Sequence, residues 1–391
     1  MRASWAAFTW SERVCGPERL GRRGGYVQGR SGVAACTLVV ALAACRAEPR
    51  TAIVGYAFPY WGTPTVATAR DEIAAWSAGD GPEIRVVYDS VTQGDPPDLE
   101  VMRAQRLAAL PELVAVVGHG GSRGSLAAAP IYNAAGIPQI VPTGTSRLLR
   151  SEGPWTFVLC PDDSTEGAFV GRFVTERLAA RRVTIFFVND EYGAGLRDGV
   201  VAELGQRGVV VLDRVGVDAR SDIPTLLEAS LRRGTPDVLI VAARSEETGR
   251  LARAAYGRVP HLRVVAGDGA LQLPALANLA GPAADSVYVV AFWLPDATDS
   301  LSRAFVARYR RVTGGPPGPT NAMSHDALML AAQAIREVGA NRSAVRRYFE
   351  SLGRSRPPYA GITGPITFTP NRPARLIMAR LQGGRAVRAA P

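Results

Sequence analysis

From Thr51 onward, short apolar runs alternate with longer segments whose hydrophobic residues recur at helical spacing. The short runs are rich in Val and Ile and predict buried strands, whereas the longer segments, of roughly 9 to 15 residues, predict amphipathic helices. The predicted strands are 52–56, 84–88, 113–117, 139–141, 183–188, 209–215, 238–241, 263–266 and 286–291. The predicted helices between them are 99–110, 125–135, 166–180, 192–206, 223–231 and 246–256.

The alternation of strands with helices predicts a doubly wound α/β fold. A parallel pair of strands cannot be closed by a tight turn, so crossover helices join the strands and cover both faces of the sheet. With 391 residues the chain is about twice the usual domain size, which favours two lobes.

After Trp293 the pattern changes to consecutive helices. They are predicted at 301–311, 326–337 and 344–352, and two strand-like segments follow at 365–368 and 376–381. A helical block without strands of its own must pack on a sheet formed earlier. We therefore expect the chain to pass more than once between the two lobes.

The composition narrows the possible functions. Hydrophobic residues make up 47% and charged residues 20% of the chain, as is typical of a globular protein. All 45 basic residues are arginine, which excludes GK[ST] phosphate loops and lysine-based catalysis. The net charge is +10, but the arginines are spread along the chain and no nucleic-acid-binding motif is present, so we expect no nucleic-acid partner.

The chain lacks the residue patterns of common active sites. His119, His261 and His325 are dispersed and form no zinc-binding motif, and there is no GxSxG elbow. The glycines that follow the strand 183–188 do not have dinucleotide-loop spacing, and Cys160 is interpreted as a buried thiol behind a strand-like segment. We therefore expect no catalytic activity, no metal ion and no cofactor.

The N-terminal region carries the pattern of a targeting signal. Residues 27–44 contain an apolar stretch of 13 residues, which is too short to span a membrane and has the size of a signal-peptide core. The stretch ends in Leu-Ala-Ala before Cys45, which resembles a bacterial lipobox and predicts lipidation of this cysteine; a short buried helix is the alternative. Residues 1–26 are interpreted as an extension from a misassigned start.

Two strand-to-helix turns carry small hydroxyl residues. The strand 113–117 runs into a glycine-rich turn and Ser122, and the strand 139–141 runs into a turn that contains Thr145. In an open α/β sheet such turns lie at the carboxyl edge, where a helix N-terminus offers roughly half a positive charge to a ligand. The turns suit a carboxylate; alternatively, both hydroxyl residues are plain helix caps.

Residues 114–146 carry a family resemblance. They read VAVVGHGGSRGSLAAAPIYNAAGIPQIVPTGTS and resemble the type I periplasmic solute-binding proteins of the leucine/isoleucine/valine-binding group. The likeness continues, in the same order, at 161–167, 183–196, 235–238, 267–269 and 325–327. These segments span most of residues 110–340, so the resemblance does not depend on a single motif.

The resemblance implies two α/β lobes that close on a small ligand around a hinge of three crossovers. It places the crossovers near Pro161, near 293–295 and near 357–359. The implied first lobe comprises residues 51–161 with 294–357, and the implied second lobe comprises 162–293 with 358–391. This arrangement agrees with the expectation that the late helices pack on a sheet formed earlier in the chain.

The resemblance also implies a ligand site between the lobes. In this family a Ser and a Thr hydroxyl hold the ligand carboxylate, and they correspond to Ser122 and Thr145. A backbone carbonyl that accepts from the ligand ammonium corresponds to Thr143. Tyr192 corresponds to an aromatic wall and Asp268 to the acidic partner of the ammonium, the alternative for Asp268 being a plain turn aspartate.

The chain departs from the family pattern in two places. Residues 55–62 lack the usual SGP turn and the glycine-rich first helix, and they carry extra aromatic residues between Tyr56 and Trp61. Where relatives have a second tyrosine wall, this chain has Arg244, which either pairs with a second acidic group on the ligand or points to solvent. The identity of the ligand therefore does not transfer from the family.

Together these features predict an extracytoplasmic, lipid-anchored solute-binding protein. The resemblance implies that it captures a small zwitterion, such as an amino acid, and delivers it to the permease subunits of an ABC importer. Contact with the membrane is expected through the lipid anchor only. The alternative is a ligand-sensing or envelope-regulatory lipoprotein of the same fold without a transporter, and the sequence does not separate the two because the cleft would be the same.

Overall fold

The computed structural model describes residues 51–59, 62–76, 81–91, 96–259, 261–296, 299–370 and 375–389. The predicted N-terminal extension, the signal peptide and Cys45 lie outside the described residues, as do Tyr60 and Trp61. The described part forms two α/β lobes within one compact unit, each lobe built on one mainly parallel sheet. Within it, no helix combines the length and the hydrophobicity that a membrane span requires.

The first lobe is built on five parallel strands, β1 (Thr51–Pro59), β2 (Glu83–Val91), β3 (Leu113–Gly118), β4 (Gln139–Val141) and β5 (Thr156–Val158). Their order across the sheet is β2-β1-β3-β4-β5. Helices α1 (Thr63–Trp76), α2 (Pro97–Ala108) and α3 (Gly121–Ala135) connect the strands. The order reverses between β1 and β3, which is the edge where a doubly wound sheet forms a ligand crevice.

The second lobe repeats this arrangement with β6 (Arg182–Val188), β7 (Val210–Val217), β8 (Val238–Ala242), β9 (Arg263–Ala266) and β10 (Val287–Ala291). These parallel strands lie in the order β7-β6-β8-β9-β10. The connecting helices are α4 (Asp163–Glu176), α5 (Glu191–Gln206), α6 (Ile223–Leu231), α7 (Ser245–Tyr256) and α8 (Ala275–Ala280). The crevice edge of this sheet therefore lies between β6 and β8.

The late helices α9 (Ser300–Thr313), α10 (Pro319–Val338) and α11 (Arg342–Ser351) return to the first lobe. Helix α10 packs on β1 and β3, and α11 packs on β3. Arg342 at the start of α11 donates from Nε to the carbonyl of Leu113 at 2.7 Å. The expectation that these helices pack on an earlier sheet is confirmed.

The chain stays with the first lobe after α11. It forms a short antiparallel hairpin, β11 (Tyr359–Gly361) and β12 (Gly364–Ile366), whose Ile362 and Thr363 N–H groups donate to the Asp326 carboxylate of α10 at 2.7 and 2.8 Å. Phe368 then packs against Phe157 with ring centroids 5.0 Å apart. We therefore propose that the third crossover follows Phe368 rather than 357–359; the other lobe boundaries stay a prediction.

Two antiparallel strands, β13 (Ile377–Gln382) and β14 (Arg385–Arg388), complete the second sheet beside β10. Strand β14 was not among the predicted strands because its sequence, RAVR, has only two apolar residues between arginines and shows no apolar run. Helix α8 was not predicted because its six residues form less than two helical turns, which is too short to show a helical period.

Helix α1 was not among the predicted helices, and it contains no glycine. The first six residues of its sequence, TPTVATARDEIAAW, include three Thr and one Val, which have low helix propensity. Val66, Ala69 and Ile73 are nevertheless buried on one face at helical spacing, so tertiary packing overrides propensity.

Candidate functional site

The first predicted turn places Ser122 in the first turn of α3, where it is 3% exposed. Gly120 is the N-cap of α3, so the hydroxyl of Ser122 is not a helix cap. After β4, Ser146 and not Thr145 is the capping residue, and it precedes a five-residue 3₁₀ turn rather than an α-helix. The helix-cap interpretation of both hydroxyl residues is therefore wrong.

The two turns of the first lobe are joined by a hydrogen bond. Ser122 Oγ accepts from the N–H of Ser146 at 3.1 Å. Thr145 is 1% exposed, and its carbonyl accepts from the N–H of Asp163 in α4 at 2.9 Å. Thr143 lines a cavity between the two lobes, which we call the interlobe cavity, whereas Thr145 lies behind this lining. The turn after β4 thus connects the cleft with the first crossover.

The second lobe contributes Tyr192 and Asp268 from the ends of β6 and β9. The Tyr192 hydroxyl accepts from the N–H of Gly269 at 3.0 Å. Glycine is required on both sides of Asp268, because a Cβ would lie 2.6 Å from the Tyr192 hydroxyl at Gly267 and 2.9 Å from it at Gly269. The loop that carries Asp268 is therefore seated directly on the tyrosine.

Two further carboxyl groups, from Asp163 and Glu166 of α4, lie behind Asp268. Glu166 is fully buried, and its Oε1 accepts from the N–H of Asp268 at 2.8 Å. Glu166 Oε2 and Asp268 Oδ1 are enclosed without a donor. The two carboxyl groups lie within hydrogen-bonding reach of each other, so one shared proton satisfies both oxygens.

Burial dominates the ionisation of this acidic cluster, which consists of Asp163, Glu166 and Asp268. It raises the pKa of Asp163 to about 7 and the pKa of Asp268 to about 6. Burial, together with the charge of Asp268, also raises the pKa of Glu166 well above its ordinary value. Glu166 is the more enclosed of the coupled pair, so we assign the shared proton to it and the negative charge to Asp268.

Close helix packing brings the cluster together. A Cβ at Gly167 would lie 2.4 Å from the carbonyl carbon of Gly199, so only glycine lets α4 approach α5 at this point. Asp163 and Glu166 therefore lie beside Tyr192, which is held in the first turn of α5.

Arg244 lies at the β6/β8 edge and faces the cleft. Its Nη2 donates to Asp190 Oδ2 at 2.5 Å, and its guanidinium carbon is 5.9 Å from the Tyr192 ring centroid. The side chain is 27% exposed. Its charge is thus partnered within its own lobe, while the residue also lines the cavity between the lobes.

One cavity of about 50 Å³ collects these residues from both lobes. Its lining consists of Gly120, Gly121, Ser122, Thr143, Tyr192, Arg244, Asp268, Gly269, Gln272 and Thr320. Five of the six predicted ligand-binding residues are therefore brought together, and Thr145 lies just behind them.

Sequence reasoning missed Gln272 and Thr320. Thr320 is the second residue of α10. This helix begins at Pro319, seven residues before the start of the predicted helix. A proline at the first helical position after Gly318 is a start signal that would have moved this residue to a helix N-terminus. Gln272 follows the 3₁₀ turn 268–270, and no local pattern marks it.

An ion pair joins the lobes beside the cavity. Arg123 of α3 donates from Nε to Glu191 Oε2 of α5 at 3.0 Å and from Nη2 to the carbonyl of Asn189 at 3.5 Å. The two side chains are 33% and 39% exposed. The contact joins the two lobes, and neither Arg123 nor Glu191 is among the residues that line the cavity.

Other candidates from the sequence have structural positions. Tyr56 and Phe58 are fully buried with ring centroids 4.9 Å apart, so these extra aromatics belong to the core. His119 is fully buried between Glu100 and Tyr132, at 2.6 and 2.9 Å. Cys160 is buried, and its thiol donates to the carbonyl of Gly144 at 3.1 Å; the described residues contain no His, Cys, Asp and Glu cluster that could hold a metal ion.

Comparison with known proteins gives consistent matches. A family model described as periplasmic binding protein matches residues 55–382. The amino acid binding protein of Pseudomonas aeruginosa is 26% identical over 302 residues, which cover 75% of this chain and 80% of that protein. The Leu/Ile/Val-binding protein homolog 1 of Brucella suis is 25% identical over 227 residues, covering 58% of this chain and 60% of the relative.

A solved structure shares the fold. The branched-chain amino acid transporter substrate-binding protein of Streptococcus pneumoniae, in complex with isoleucine, superimposes with a TM-score of 0.77. It is 21% identical, and the match covers 86% of this chain and 97% of that one. The predicted two-lobed α/β fold is confirmed.

Proposed function

Because this chain belongs to the periplasmic binding protein family and is of its Leu/Ile/Val-binding type, we propose that it captures an amino acid between its lobes and delivers it to an ABC importer. The relatives named above are solute-binding proteins rather than enzymes. The observation that carries the proposal is a cavity to which both lobes contribute, with uncharged donors on one side and Asp268 on the other.

The first lobe provides the pole for the ligand carboxylate. Ser122 and the N-terminal turn of α3 offer a hydroxyl and free N–H groups with a partial positive charge. Thr143 faces the same space, and its carbonyl is assigned to the ammonium end of the ligand. Thr145 is proposed to support this pole through the turn that it shares with Thr143.

The second lobe provides the pole for the ligand ammonium. Asp268 lines the cavity and carries the negative charge of the pair that it forms with Glu166, so an ammonium group placed beside it supplies the opposite charge. Tyr192 forms the adjoining aromatic wall. Since Asp190 already neutralises Arg244, a second acidic group on the ligand is not required, and Arg244 is assigned to the wall.

The size of the cavity bears on how a ligand enters. A cavity holds a water molecule once about 10–15 Å³ is available to it, so the 50 Å³ present has room for only a few waters. A branched amino acid therefore requires the lobes to separate further around the crossovers and to close again. Small-angle scattering should detect the closure as a smaller radius of gyration when the ligand is added.

The test is a thermal-shift screen of the twenty amino acids and a matched set of small carboxylates without an amine. We expect one or a few amino acids to raise the melting temperature, because a ligand that binds only the folded state stabilises it. The corresponding carboxylates without an amine should have no effect at the same concentration. Stabilisation by the amine-free compounds alone would contradict the assignment of Asp268.

We also propose that the protein is lipid-anchored outside the cytoplasm, from the Leu-Ala-Ala sequence before Cys45. Cys45→Ala should leave an uncleaved precursor or release the protein from the membrane fraction. Equal fractionation of the wild type and the variant, with an intact N-terminus in the wild type, would contradict lipidation.

A further inference from the structure

The first lobe contains a second cavity, which is separate from the interlobe site. It lies among α1, α9, α10, α11 and the segment that leads into β11, and it encloses about 430 Å³. This volume falls in the range of small-molecule sites, about 300–1,000 Å³. None of its lining residues also lines the interlobe cavity. For convenience we call it the lobe cavity.

One end of the lobe cavity is polar and has unused hydrogen-bonding capacity. His325 is 3% exposed, and neither of its ring nitrogens has a hydrogen-bond partner. The carboxylate of Glu72, which forms an ion pair with Arg308, places Oε2 at 3.6 Å from His325 Nε2. Because buried polar groups are nearly always bonded, a free buried imidazole at a cavity wall points to a missing partner.

The charged groups at the polar end already have partners, because Glu72 pairs with Arg308 and the Asp326 carboxylate accepts from the N–H groups of Ile362 and Thr363. Glu72 and Arg308 cancel each other, and burial lowers the pKa of His325 to about 4, so its imidazole is neutral at pH 7. A neutral imidazole has one nitrogen that donates and one that accepts. A ligand group that can do both, such as a hydroxyl, fits this end better than an ion.

The remaining lining is apolar and aromatic. Phe305 packs on His325 with ring centroids 4.8 Å apart, and Met329 and Leu352 are both 2% exposed. Trp76 also borders the cavity. Such walls favour a flat, ring-containing ligand body through burial of apolar surface.

The opposite end is closed by satisfied polar groups. Glu337 accepts from Tyr348 at 3.1 Å, from Gln333 at 2.8 Å and from Arg356 at 2.8 Å. These groups form hydrogen bonds with one another, so this end has less unused hydrogen-bonding capacity than the His325 end. The polar contact of a ligand is therefore expected at the His325 end.

We propose that the lobe cavity binds a small uncharged aromatic alcohol of the phenol class, with its ring among Phe305, Met329 and Leu352 and its hydroxyl bonded to His325. A zwitterion fits less well, because it would have to open the ion pair between Glu72 and Arg308. This site is independent of amino-acid capture at the interlobe cavity.

The test measures binding of 4-fluorophenol to the full chain by fluorine NMR line broadening, up to about 5 mM. We expect saturable binding to the wild type, at least about tenfold weaker binding to His325→Phe, and loss of binding to Ala304→Trp. His325→Phe keeps a ring against Phe305 and removes only the two nitrogens. Ala304 is exposed on α9 and lines the cavity, so the added indole is expected to fill the space without disturbing the core.

Two controls decide whether the site is the lobe cavity. Asp268→Ala, in the interlobe cavity, should bind 4-fluorophenol as the wild type does, and 4-fluorotoluene should bind at least about tenfold more weakly than 4-fluorophenol. The proposal is overturned if the wild type shows no saturable binding, if Ala304→Trp or His325→Phe binds normally, if Asp268→Ala abolishes binding, or if the two compounds bind equally. Circular dichroism of each variant establishes that it is folded.

Discussion

The two sides of the interlobe cavity differ in their chemistry. The first lobe lines it with glycine backbone and the hydroxyl residues Ser122, Thr143 and Thr320, and none of its lining side chains is charged. The second lobe lines it with Tyr192, Arg244 and Asp268 and places two further carboxyl groups behind them. The five parallel strands of each sheet follow the same order, so the difference comes from the turns and not from the order of these strands.

This difference divides the proposed recognition of a zwitterion into two physical mechanisms. The first side acts through hydroxyl groups and a helix N-terminus, whose hydrogen-bonding capacity does not change with pH between 5 and 8. The second side acts through carboxyl groups whose pKa values burial has raised towards neutrality. Changes on the second side should therefore have larger effects and depend on pH, whereas changes on the first side should be smaller and independent of pH.

The largest effect is expected from Asp268→Ala. Removing the carboxylate leaves the ligand ammonium buried without a counter-charge, and a charge-assisted hydrogen bond contributes about 1.5–3 kcal/mol, so affinity should fall about tenfold or more. Isothermal titration calorimetry with the amino acid identified by the screen measures the change. Asp268→Asn keeps the shape and should lose as much; an Asn variant that binds as tightly as the wild type would show that the charge of Asp268 is not used.

The pH dependence of binding should come from the second side alone. The pKa of Asp268 is raised to about 6 by burial, and an ammonium ion binds the ionised carboxylate. The ionised fraction of such a group increases about tenfold between pH 5 and pH 7, so affinity should increase by about that factor. Asp268→Asn should bind weakly with little pH dependence, and a pH-independent wild type would contradict the model of this side.

The stability of the ligand-free protein should change with pH in the opposite direction. The carboxyl groups of Asp163 and Asp268 titrate near pH 4 in the unfolded chain but at about 7 and 6 in the folded protein. Between these values the folded state binds more protons than the unfolded state, so the free energy of unfolding falls as pH rises from about 4 to 7. Urea unfolding at several pH values tests this, and Asp268→Asn should flatten the slope.

The sheets could be predicted from the sequence because buried parallel strands are nearly continuous apolar runs. Strands β4 and β9 were predicted with their observed limits, and helix α6 likewise. The elements that were not predicted from the sequence were missed for physical reasons. Helix α1 begins with residues of low helix propensity and has a buried face that only the fold reveals, β14 has only two apolar residues between arginines, and α8 forms less than two helical turns.

The site could be predicted only where it lies at strand ends. Ser122, Thr143, Tyr192, Arg244 and Asp268 all follow strands, and the resemblance to known binding proteins marks their turns. Glu166 was part of that resemblance but received no role, because its contact with Asp268 joins residues 102 positions apart. Packing of α4 against α5 creates this contact, and no local pattern indicates it.

On the first side, Ser122→Ala should reduce affinity about fivefold. It removes one hydroxyl from the carboxylate pole but leaves the N–H groups of α3 to hold the ligand charge, so the loss should be near that of an ordinary hydrogen bond, about 1 kcal/mol. The pH dependence of binding should remain that of the wild type. Thr145→Ala is the comparison, and since Thr145 lies behind the lining its effect should be smaller; a larger effect than that of Ser122→Ala would assign the carboxylate contact to Thr145.

The smallest effect is expected where the two sides meet, at the ion pair between Arg123 and Glu191. Both side chains are about one-third exposed, and such pairs contribute about 0.2–1 kcal/mol. Arg123→Ala removes a contact that exists only when the lobes are close, so it should shift the ligand-free protein towards the open state and weaken binding about two- to threefold. Scattering should report a slightly larger radius of gyration without ligand and the wild-type value at saturation.

Arg258→Ala is the matched control, because Arg258 pairs with Glu228 at 2.8 Å within the second lobe and has similar exposure. Equal effects of the two substitutions would mean that the loss is general surface electrostatics and that the Arg123 contact does not help to close the cleft.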